Sequence, residues 1–431
     1  MESRSTARSG KHGAERQARR KRHERRTRSL PEQKEPSMTS QSGTTPPGAA
    51  RDERDRGLRI VVTGATGNIG TGLLRQLRED DRVGSVLAIA RRPPGTPPER
   101  PAAGAGTGAG AGGAGSPEHA DRDDKTAWLR ADVCQADLVR HFEGADAVVH
   151  LAWLFHPSHK PAVTWRTNVL GSARVFRAAA AARVPALVHA SSVAAYSPGP
   201  KESGVDESWP THGWPASAYC REKAYVERVL DAFEQDHPAM RVVRLRPGIV
   251  FRRESAAEQR RIFAGPLLSR RMVRPSRYPA MPDVPGLRFQ TLHTDDAADA
   301  FRRAVLEPVR GPFNLAADPP VDAEMLARVF GTRTVRVPAR PVLAAAAAAW
   351  RLHLVPTPDG LLEAVLRMPL MDTTRARTEL GWQPRYSAEE TVEEFAAGLR
   401  HGAGGPTPAL AARLPGGGRA REFATGLGER T

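Results

Sequence analysis

An apolar run that leads directly into three evenly spaced glycines constrains this chain more than any other feature. Residues 58–62 have the length and composition of a buried strand, and Gly64, Gly67 and Gly70 follow them. Leucines at helical spacing come next, at residues 73–77. A strand, a glycine turn and a helix in this order predict a cradle for the pyrophosphate of a dinucleotide, because the glycines let the backbone approach the phosphates and the helix start offers N–H groups. The alternative is a turn that only suits the packing of the helix on the strand.

Two arginines follow the second predicted strand, at the position that contacts the adenosine ribose of a dinucleotide. This strand, residues 85–90, ends in Arg91 and Arg92 and carries no carboxylate there. An arginine can pair bidentately with a 2′-phosphate, whereas a carboxylate would repel it. The pair therefore favours NADP(H) over NAD(H), the alternative being that it only begins a solvated loop. Asp132, at the end of the third predicted strand, is expected either to reach the adenine amino group or to cap a turn.

Strands alternate with helices along most of the chain, which predicts an α/β fold with a doubly wound parallel sheet. Residues 93–125 consist largely of Gly, Ala and Pro, a composition that predicts a flexible insertion. After residue 250 the alternation becomes irregular. The expected organisation is a disordered basic tail at 1–56, a nucleotide-binding domain at 57–250, a C-terminal substrate-binding region at 251–400 that returns to the first domain near 286–316, and a flexible tail at 401–431.

The formal net charge of +16 raises the question of a nucleic-acid partner. Residues 1–30 hold 11 lysines and arginines against three acidic residues, so half of the excess lies in one segment with few apolar residues. Such a segment cannot bury enough apolar surface to offset the entropy of ordering it. We therefore expect a solvated tail and do not expect a nucleic-acid partner.

Two cysteines, Cys134 and Cys220, are too few for a disulfide framework or a zinc cluster. No window is long and apolar enough for a membrane span, and no apolar run follows the charged N-terminus as in a secretory signal. His150, His156 and His159 lie close together in sequence, but their spacing matches no familiar metal site. We expect a cytoplasmic protein that holds no metal.

A tyrosine and a lysine one helical turn apart form the second informative motif. Tyr219 and Lys223 lie four positions apart and share one face of a predicted helix. A nearby ammonium stabilises a phenolate and is expected to lower the pKa of the tyrosine, which makes it a usable acid or base near neutral pH. Ser192, at the end of a predicted strand, is expected to orient a substrate carbonyl.

With these residues the chain resembles the short-chain dehydrogenase/reductase superfamily, and more closely its extended branch of NAD-dependent epimerases and dehydratases. The resemblance runs from about residue 59 to residue 400. Further stretches that match are His150-Leu151-Ala152, Asn168-Val169-Leu170-Gly171, Ser191-Ser192-Val193-Ala194-Ala195-Tyr196, Arg246-Pro247-Gly248, His293-Thr294-Asp295-Asp296 and Leu380-Gly381-Trp382-Gln383-Pro384.

The resemblance implies a Rossmann-type domain with a smaller C-terminal substrate-binding region, and an active site between them for a small-molecule substrate. It implies that Tyr219 is the general acid and base, that Lys223 is its electrostatic partner and ribose anchor, and that Ser192 positions the carbonyl. It also implies a homodimer through the helices that carry Asn168 and Tyr219. The expected cofactor-binding residues are Gly64, Thr66, Gly67, Asn68, Ile69, Gly70, Arg91, Arg92, Asp132, Val133, Leu151, Ala152, Asn168, Tyr219, Lys223 and Pro247.

Departures from the family pattern narrow the expected chemistry. Val193 and Ala194 occupy the positions where sugar-nucleotide dehydratases carry an Asp-Glu pair, and the stretch after Pro247 lacks the asparagine and Tyr-Gly-Pro that are typical of sugar-nucleotide enzymes. We therefore expect an NAD(P)-dependent oxidoreductase that acts on a small carbonyl or alcohol. The alternatives are a nucleotide-sugar epimerase and a non-catalytic NAD(P)-sensing regulator.

Overall fold

The computed structural model describes residues 57–95, 125–155, 161–264 and 280–412. The predicted basic tail, nearly all of the predicted insertion, His156, His159 and the end of the predicted C-terminal tail lie outside these residues. The strands are β1 (Leu58–Thr63), β2 (Val83–Ala90), β3 (Thr126–Arg130), β4 (Ala147–His150), β5 (Ala186–Ala190), β6 (Gly204–Val205), β7 (Arg241–Pro247), β8 (Ile249–Phe251), β9 (Met281–Asp283), β10 (Arg288–Phe289), β11 (Thr291–His293), β12 (Gly311–Leu315), β13 (Val321–Asp322), β14 (Thr334–Arg336) and β15 (Leu370–Met371). The helices are α1 (Asn68–Glu79), α2 (Val139–Phe142), α3 (Pro161–Trp165), α4 (Gly171–Ala181), α5 (Ala218–Asp236), α6 (Ala256–Gln259), α7 (Thr294–Leu306), α8 (Ala323–Phe330), α9 (Ala339–Arg351), α10 (Asp359–Arg367), α11 (Thr374–Thr378) and α12 (Ala388–His401).

Seven parallel strands form the central sheet in the order β12-β7-β5-β4-β1-β2-β3. Strand order reverses between β1 and β4, so the carboxyl ends of these two strands open a crevice between the connections that leave them. The predicted fold class, an α/β doubly wound parallel sheet of Rossmann type, is confirmed. Strand β12, within the region 286–316, forms the edge of this sheet.

Helices cover both faces of the sheet, because each helix has one apolar face to bury. On one face Leu73 and Leu77 of α1 pack with Phe301 of α7 against the strands. On the other face Phe176 of α4 and Leu230 of α5 do the same. Each of these side chains is buried, and burial of a leucine or phenylalanine stabilises the fold by about 1.5–3 kcal/mol.

The C-terminal region is built from two-stranded pairs and short helices. Strand β8 pairs with β11, β9 with β14, β10 with β13 and β6 with β15. Trp382 joins this region to the main domain, because its fully buried indole donates a hydrogen bond to the carbonyl of Asp296 in α7.

Residues 402–412, which were predicted to belong to a flexible tail, make specific contacts with the rest of the chain. Helix α12 ends at His401, and Gly402 caps it with a left-handed backbone conformation. The chain then folds back over the first domain. Leu410 is completely buried, and the hydroxyl of Thr407 donates a 2.8 Å hydrogen bond to the carbonyl of Thr66. Composition suggested flexibility, but one apolar side chain and a few specific hydrogen bonds hold the segment in place.

Among the described residues, no helix combines the length and apolar character that a membrane crossing requires.

Candidate active site

Gly64 follows β1 directly and has a backbone conformation that only glycine adopts easily. Its φ is +75°, and its N–H donates to the carbonyl of Ile89. A Cβ built on Gly64 would lie 2.5 Å from the backbone nitrogen of Ala152, in the connection that leaves β4. The glycine therefore lets the turns after β1 and β4 approach each other at the switch point of the sheet.

Gly67 and Gly70 shape the turn that enters α1. A Cβ on Gly70 would lie 2.6 Å from the carbonyl oxygen of Gly64, so this glycine closes the turn on itself. A Cβ on Gly67 would meet one atom within 4 Å, the same oxygen at 3.3 Å, and would otherwise project into open space. This open space adjoins the N–H groups at the start of α1, which have no partner inside the helix. The residues therefore fit a bound pyrophosphate.

A cleft opens beside this turn, and nine of the predicted cofactor-binding residues line it: Gly64, Thr66, Gly67, Arg91, Arg92, Asp132, Val133, Leu151 and Ala152. Other residues on its walls were not predicted: Ile89, Ala90, Ala131, Trp153, Leu154, Thr167, Glu258, Pro408 and Ala409. Seven of the ten residues predicted around β1, β2 and β3 therefore line one cleft, whereas the walls contributed by distant parts of the chain were missed.

Four further predicted residues hold the structure around the cleft and do not line it. The Asn68 amide donates to the carbonyl of Val250 and accepts from the hydroxyl of Thr294, which ties α1 to the C-terminal region. Ile69 packs against the core, Gly70 closes the turn, and Pro247 is buried at the end of β7.

Asn168, another predicted cofactor-binding residue that does not line the cleft, lies in a π-helical turn and is buried. Its side chain accepts from the N–H of Leu154 at 2.7 Å and donates to the carbonyl of the same residue at 3.1 Å. Its amide also donates to a carboxylate oxygen of Glu222 at 2.7 Å. Asn168 therefore fixes the segment after β4, which forms one wall of the cleft.

Ser192 and Tyr219 lie near each other at one end of the cleft. Ser192 caps the short helical turn after β5, where its hydroxyl accepts from the N–H of Ala194 at 3.1 Å, and it lies close enough to the Tyr219 phenol to lower the pKa of that group. The Tyr219 ring packs edge-on against Phe155 and Trp153, with centroids 4.5 Å and 6.1 Å away. Trp153 lines the cleft, whereas Ser192 and Tyr219 do not, so Tyr219 lies behind this aromatic wall.

Lys223 lies between the tyrosine and the sheet. Its ammonium donates to the carbonyl of Ala190 at 2.8 Å and sits 3.4 Å from the centroid of the Trp153 ring. Burial lowers the pKa of Lys223 to about 7, although the carboxylates of Glu227 and Glu222 oppose this change. The geometry is that of a desolvated cation over an aromatic face.

The expected lowering of the pKa of Tyr219 is not found. Burial raises the pKa of this phenol above its ordinary value, and the nearby Ser192 side chain offsets the rise only in part. The Lys223 ammonium is 6.0 Å from the centroid of the tyrosine ring and is engaged by Ala190 and Trp153. The proton therefore stays on Tyr219 at neutral pH in this arrangement.

Two buried glutamates of α5 were not predicted from the sequence. Glu222 accepts hydrogen bonds from Asn168 and, at 2.5 Å, from the hydroxyl of Thr164. Glu227 is fully buried and pairs with Arg244 and Arg246 of β7. The only sequence signal for them is an acidic residue on the apolar face of a helix, which does not identify its partners.

His150 has a structural role near the site. His150 lies at the end of β4, and its ring nitrogens hydrogen-bond to the hydroxyls of Thr63 at 2.7 Å and Ser172 at 2.9 Å. Burial lowers its pKa to about 3, so the ring is neutral. Within the part of the chain that the structure describes, no three His, Cys, Asp or Glu residues are grouped as metal ligands.

A doubly wound parallel sheet with a glycine turn at its switch point is the architecture of a dinucleotide-binding domain. The chain belongs to the NAD dependent epimerase/dehydratase family, whose model matches residues 60–316. The resemblance to the extended short-chain dehydrogenases/reductases is thereby confirmed.

Curated relatives are identical to this chain at about a quarter of the aligned residues. An uncharacterized protein of Mycobacterium tuberculosis is 27% identical over 346 residues, which cover 80% of this chain and 30% of the relative. The chain thus spans less than a third of that relative's length. A 4-hydroxy-2-methyl-3-oxo-4-farnesyl-3,4-dihydroquinoline-1-oxide ketoreductase of Stigmatella aurantiaca is 27% identical over 354 residues, which cover 78% of this chain and 95% of the relative.

Solved structures with the same fold are similar over most of the described chain. A UDP-glucuronic acid 4-epimerase from Bacillus cereus, in complex with UDP-glucuronic acid and NAD, has a TM-score of 0.55 at 16% identity and covers 80% of this chain and 99% of its own. The UDP-glucose 4-epimerase of Thermus thermophilus, in complex with NAD, has a TM-score of 0.54 at 17% identity with the same coverage. At these identities the likeness concerns the fold.

Proposed function

We propose that the protein is an NAD(P)-dependent oxidoreductase that interconverts a small carbonyl compound and its alcohol, with Tyr219 as acid and base. The observation that carries this proposal is that the Tyr219 ring and the Lys223 ammonium both pack against Trp153, which lines the cleft that begins at the glycine turn. The ketoreductase relative, which the chain covers over 95% of its length, supports the same chemistry.

Each residue of the site has a distinct role in this proposal. The nicotinamide group, when bound, supplies or accepts the hydride. In the reductive direction Tyr219, which burial keeps protonated, gives its proton to the carbonyl oxygen, while the Ser192 hydroxyl positions that oxygen. The Lys223 ammonium then stabilises the phenolate that remains, because opposite charges attract strongly where water is excluded.

The surroundings of Ser192 favour this simple reaction over dehydration. Val193 and Ala194, which follow it, are buried apolar residues and supply no further acid or base. A dehydratase needs such groups to remove water from its substrate, whereas hydride transfer needs only the Ser–Tyr–Lys set.

We further propose that the arginines after β2 favour NADP(H). Arg91 and Arg92 both line the cleft, and a guanidinium can pair with a 2′-phosphate. The test is a fluorescence titration with NADPH and with NADH of the unaltered protein, Arg91→Asp and the control Arg336→Gln, whose side chain is 88% exposed in the C-terminal region. We expect NADPH to bind more tightly than NADH, and Arg91→Asp alone to lose this preference. Equal or tighter binding of NADH by the unaltered protein would refute the preference, and no binding of either would refute the function.

A nucleotide-sugar epimerase is the second candidate, favoured by the UDP-sugar and NAD named for the Bacillus cereus structure. The two activities differ in what is consumed. An oxidoreductase oxidises one NAD(P)H for each carbonyl reduced, whereas an epimerase converts UDP-glucose with no net change in its cofactor. Absorbance at the NAD(P)H band and NMR of the sugar separate them, and Tyr219→Phe should abolish either. A protein that binds NAD(P) and catalyses neither reaction would be the sensing regulator.

We also propose a homodimer. Large apolar side chains are exposed on the helices next to Asn168 and Tyr219, with Leu170 at 52%, Tyr225 at 48% and Trp165 at 37%. Trp165 and Tyr225 contact each other across α3 and α5, with ring centroids 4.8 Å apart. A cluster of this kind is typical of a protein–protein interface.

A further inference from the structure

The chain after α12 returns to the glycine turn of the first domain. We call residues 402–412 the C-terminal strap. Its Thr407 hydroxyl donates to the carbonyl of Thr66 within that turn, at 2.8 Å, across 341 positions of sequence. Pro408 and Ala409 line the same cleft as Arg91 and Asp132. The strap therefore forms a wall of the dinucleotide cleft that comes from the far end of the described chain.

The strap is a folded loop with defined anchors. A Cβ on Gly404 would lie 2.3 Å from the nitrogen of Ala412, so the two ends of the loop touch each other. Leu410 is fully buried and pairs through its backbone with Gly405 at 2.8 Å. The loop thus has its own shape and is attached as a unit.

Arg261 holds the strap from the opposite side. Its guanidinium donates to the carbonyls of Ala411 at 2.8 Å and Ala409 at 3.2 Å. Together with Thr407, these contacts fix both sides of the segment that faces the cleft. They are three hydrogen bonds to backbone carbonyls, few enough to break and form again within a catalytic cycle. The start of the strap has a separate attachment, since the N–H of Ala257 donates to the carbonyl of Ala403 at 3.1 Å.

The contacts of the strap leave the phosphate-binding groups available. Thr407 bonds to a carbonyl, so it takes none of the N–H groups at the start of α1. Pro408 has no N–H group, and neither Pro408 nor Ala409 carries a charge that would repel phosphate. The cleft with the strap in place holds about 150 Å³ of free space, below the roughly 300–1,000 Å³ of ligand pockets. The strap thus narrows the entrance without occupying the cradle.

We propose that the C-terminal strap is part of the cofactor site: it closes over the bound dinucleotide, and the dinucleotide leaves only when Thr407 and Arg261 release the strap. This inference rests on the proposed function, since it requires that the cleft bind NAD(P). It predicts slow exchange of cofactor. Because dissociation proceeds from the open state, its rate scales with the fraction of molecules in which the strap is open.

The test compares cofactor dissociation rates of the full chain with those of two variants that leave the backbone intact. Arg261→Gln weakens both guanidinium contacts, and Thr407→Val removes the hydroxyl with little change in shape. Arg336→Gln is the matched control. Each protein is loaded with NADPH, and stopped-flow fluorescence follows its displacement by excess NADP⁺. Urea unfolding of each protein reports whether the fold is intact.

We expect NADPH to leave about tenfold faster from Arg261→Gln, which weakens two charge-assisted hydrogen bonds, and about fivefold faster from Thr407→Val, which loses one neutral hydrogen bond. The control should match the unaltered chain. Unchanged dissociation rates in both variants would overturn the role of the strap while leaving the proposed function intact. Tighter NADPH binding by the variants would overturn it too, since the strap would then compete with the cofactor. Failure of the unaltered chain to bind NADPH or NADH would overturn the proposed function and this inference with it.

Discussion

Replacement of Glu227 by glutamine should remove about 3 kcal/mol of folding stability, because this one carboxylate balances two buried arginines. The Glu227 side chain is fully buried. One of its oxygens accepts from the Arg246 Nε at 2.9 Å and from Ser191 at 2.5 Å, and the other accepts from Arg246 Nη2 and Arg244 Nη1, both at 3.0 Å. Glutamine keeps the shape but loses the charge and one acceptor.

The magnitude follows from the pKa of this group. Burial opposes ionisation of Glu227, but the hydrogen bond and charge of Arg246 outweigh it and lower the pKa from 4.5 to about 2. A shift of this size is equivalent to about 3 kcal/mol at neutral pH. Loss of one partner from a buried ion pair costs a similar ~3–5 kcal/mol. Arg244 keeps Asp231 at 2.6 Å and Glu234 at 2.7 Å, so the cost falls mainly on Arg246 and the lower figure applies.

The sign of the pH dependence provides an independent check. A carboxyl whose pKa is lower in the folded state stabilises the protein fully above its unfolded pKa, and this stabilisation disappears as the pH falls from about 4.5 towards 2. Urea unfolding of the unaltered protein and Glu227→Gln at a series of pH values measures the difference. We expect it to be largest at about pH 7 and to shrink below about pH 4.5.

Glu234→Gln is the matched control, because Glu234 also bonds to Arg244 but its side chain is 26% exposed. Its substitution should cost less than about 1 kcal/mol. Equal stability of Glu227→Gln and the unaltered protein at neutral pH, or a difference that does not change with pH, would refute the reasoning.

Two further predictions concern the site and the proposed dimer. Because burial lowers the pKa of Lys223 to about 7, kcat/KM should fall as the pH rises above about 7. Lys223→Arg should move this fall to more alkaline pH, since a guanidinium stays protonated. A pH–rate profile that is the same in both proteins would contradict the assigned role. Leu170→Glu should convert the proposed dimer to a monomer, as measured by light scattering, because a charge in an apolar interface stays unpaired. The control Val335→Glu changes a side chain that is 44% exposed on another part of the surface and should leave the mass unchanged. A Leu170→Glu protein with the mass of the unaltered one would place the interface on another surface.

Much of the first domain was predictable because its signals are local. The apolar run before the glycines is strand β1, and the second predicted strand, residues 85–90, lies within β2 (Val83–Ala90). The helix predicted from the leucine spacing is α1, and Leu73 and Leu77 are buried as expected. A period of two or of 3.6 residues is set by backbone geometry, so it can be read from a short stretch of sequence.

The cleft was only partly predictable. Residues next to β1, β2 and β3 line it as expected, since the carboxyl ends of parallel strands meet at one edge of a sheet. Asn68 was expected at the cofactor, but its amide binds Val250 and Thr294. The partner of a polar side chain depends on which distant backbone groups the fold brings near it, and a single sequence does not contain that information.

Sequence alone is sufficient to predict the parallel α/β fold, the glycine turn and the position of Tyr219 and Lys223 on one helix, because each depends on residues within a few helical turns or strand lengths of one another. The protonation of this pair depends on the folded chain, since burial controls the pKa of both groups. Folding also brings Thr407 to Thr66, which no local pattern predicts. A strap of that kind leaves no periodic pattern, because a few hydrogen bonds and one buried leucine hold it in place.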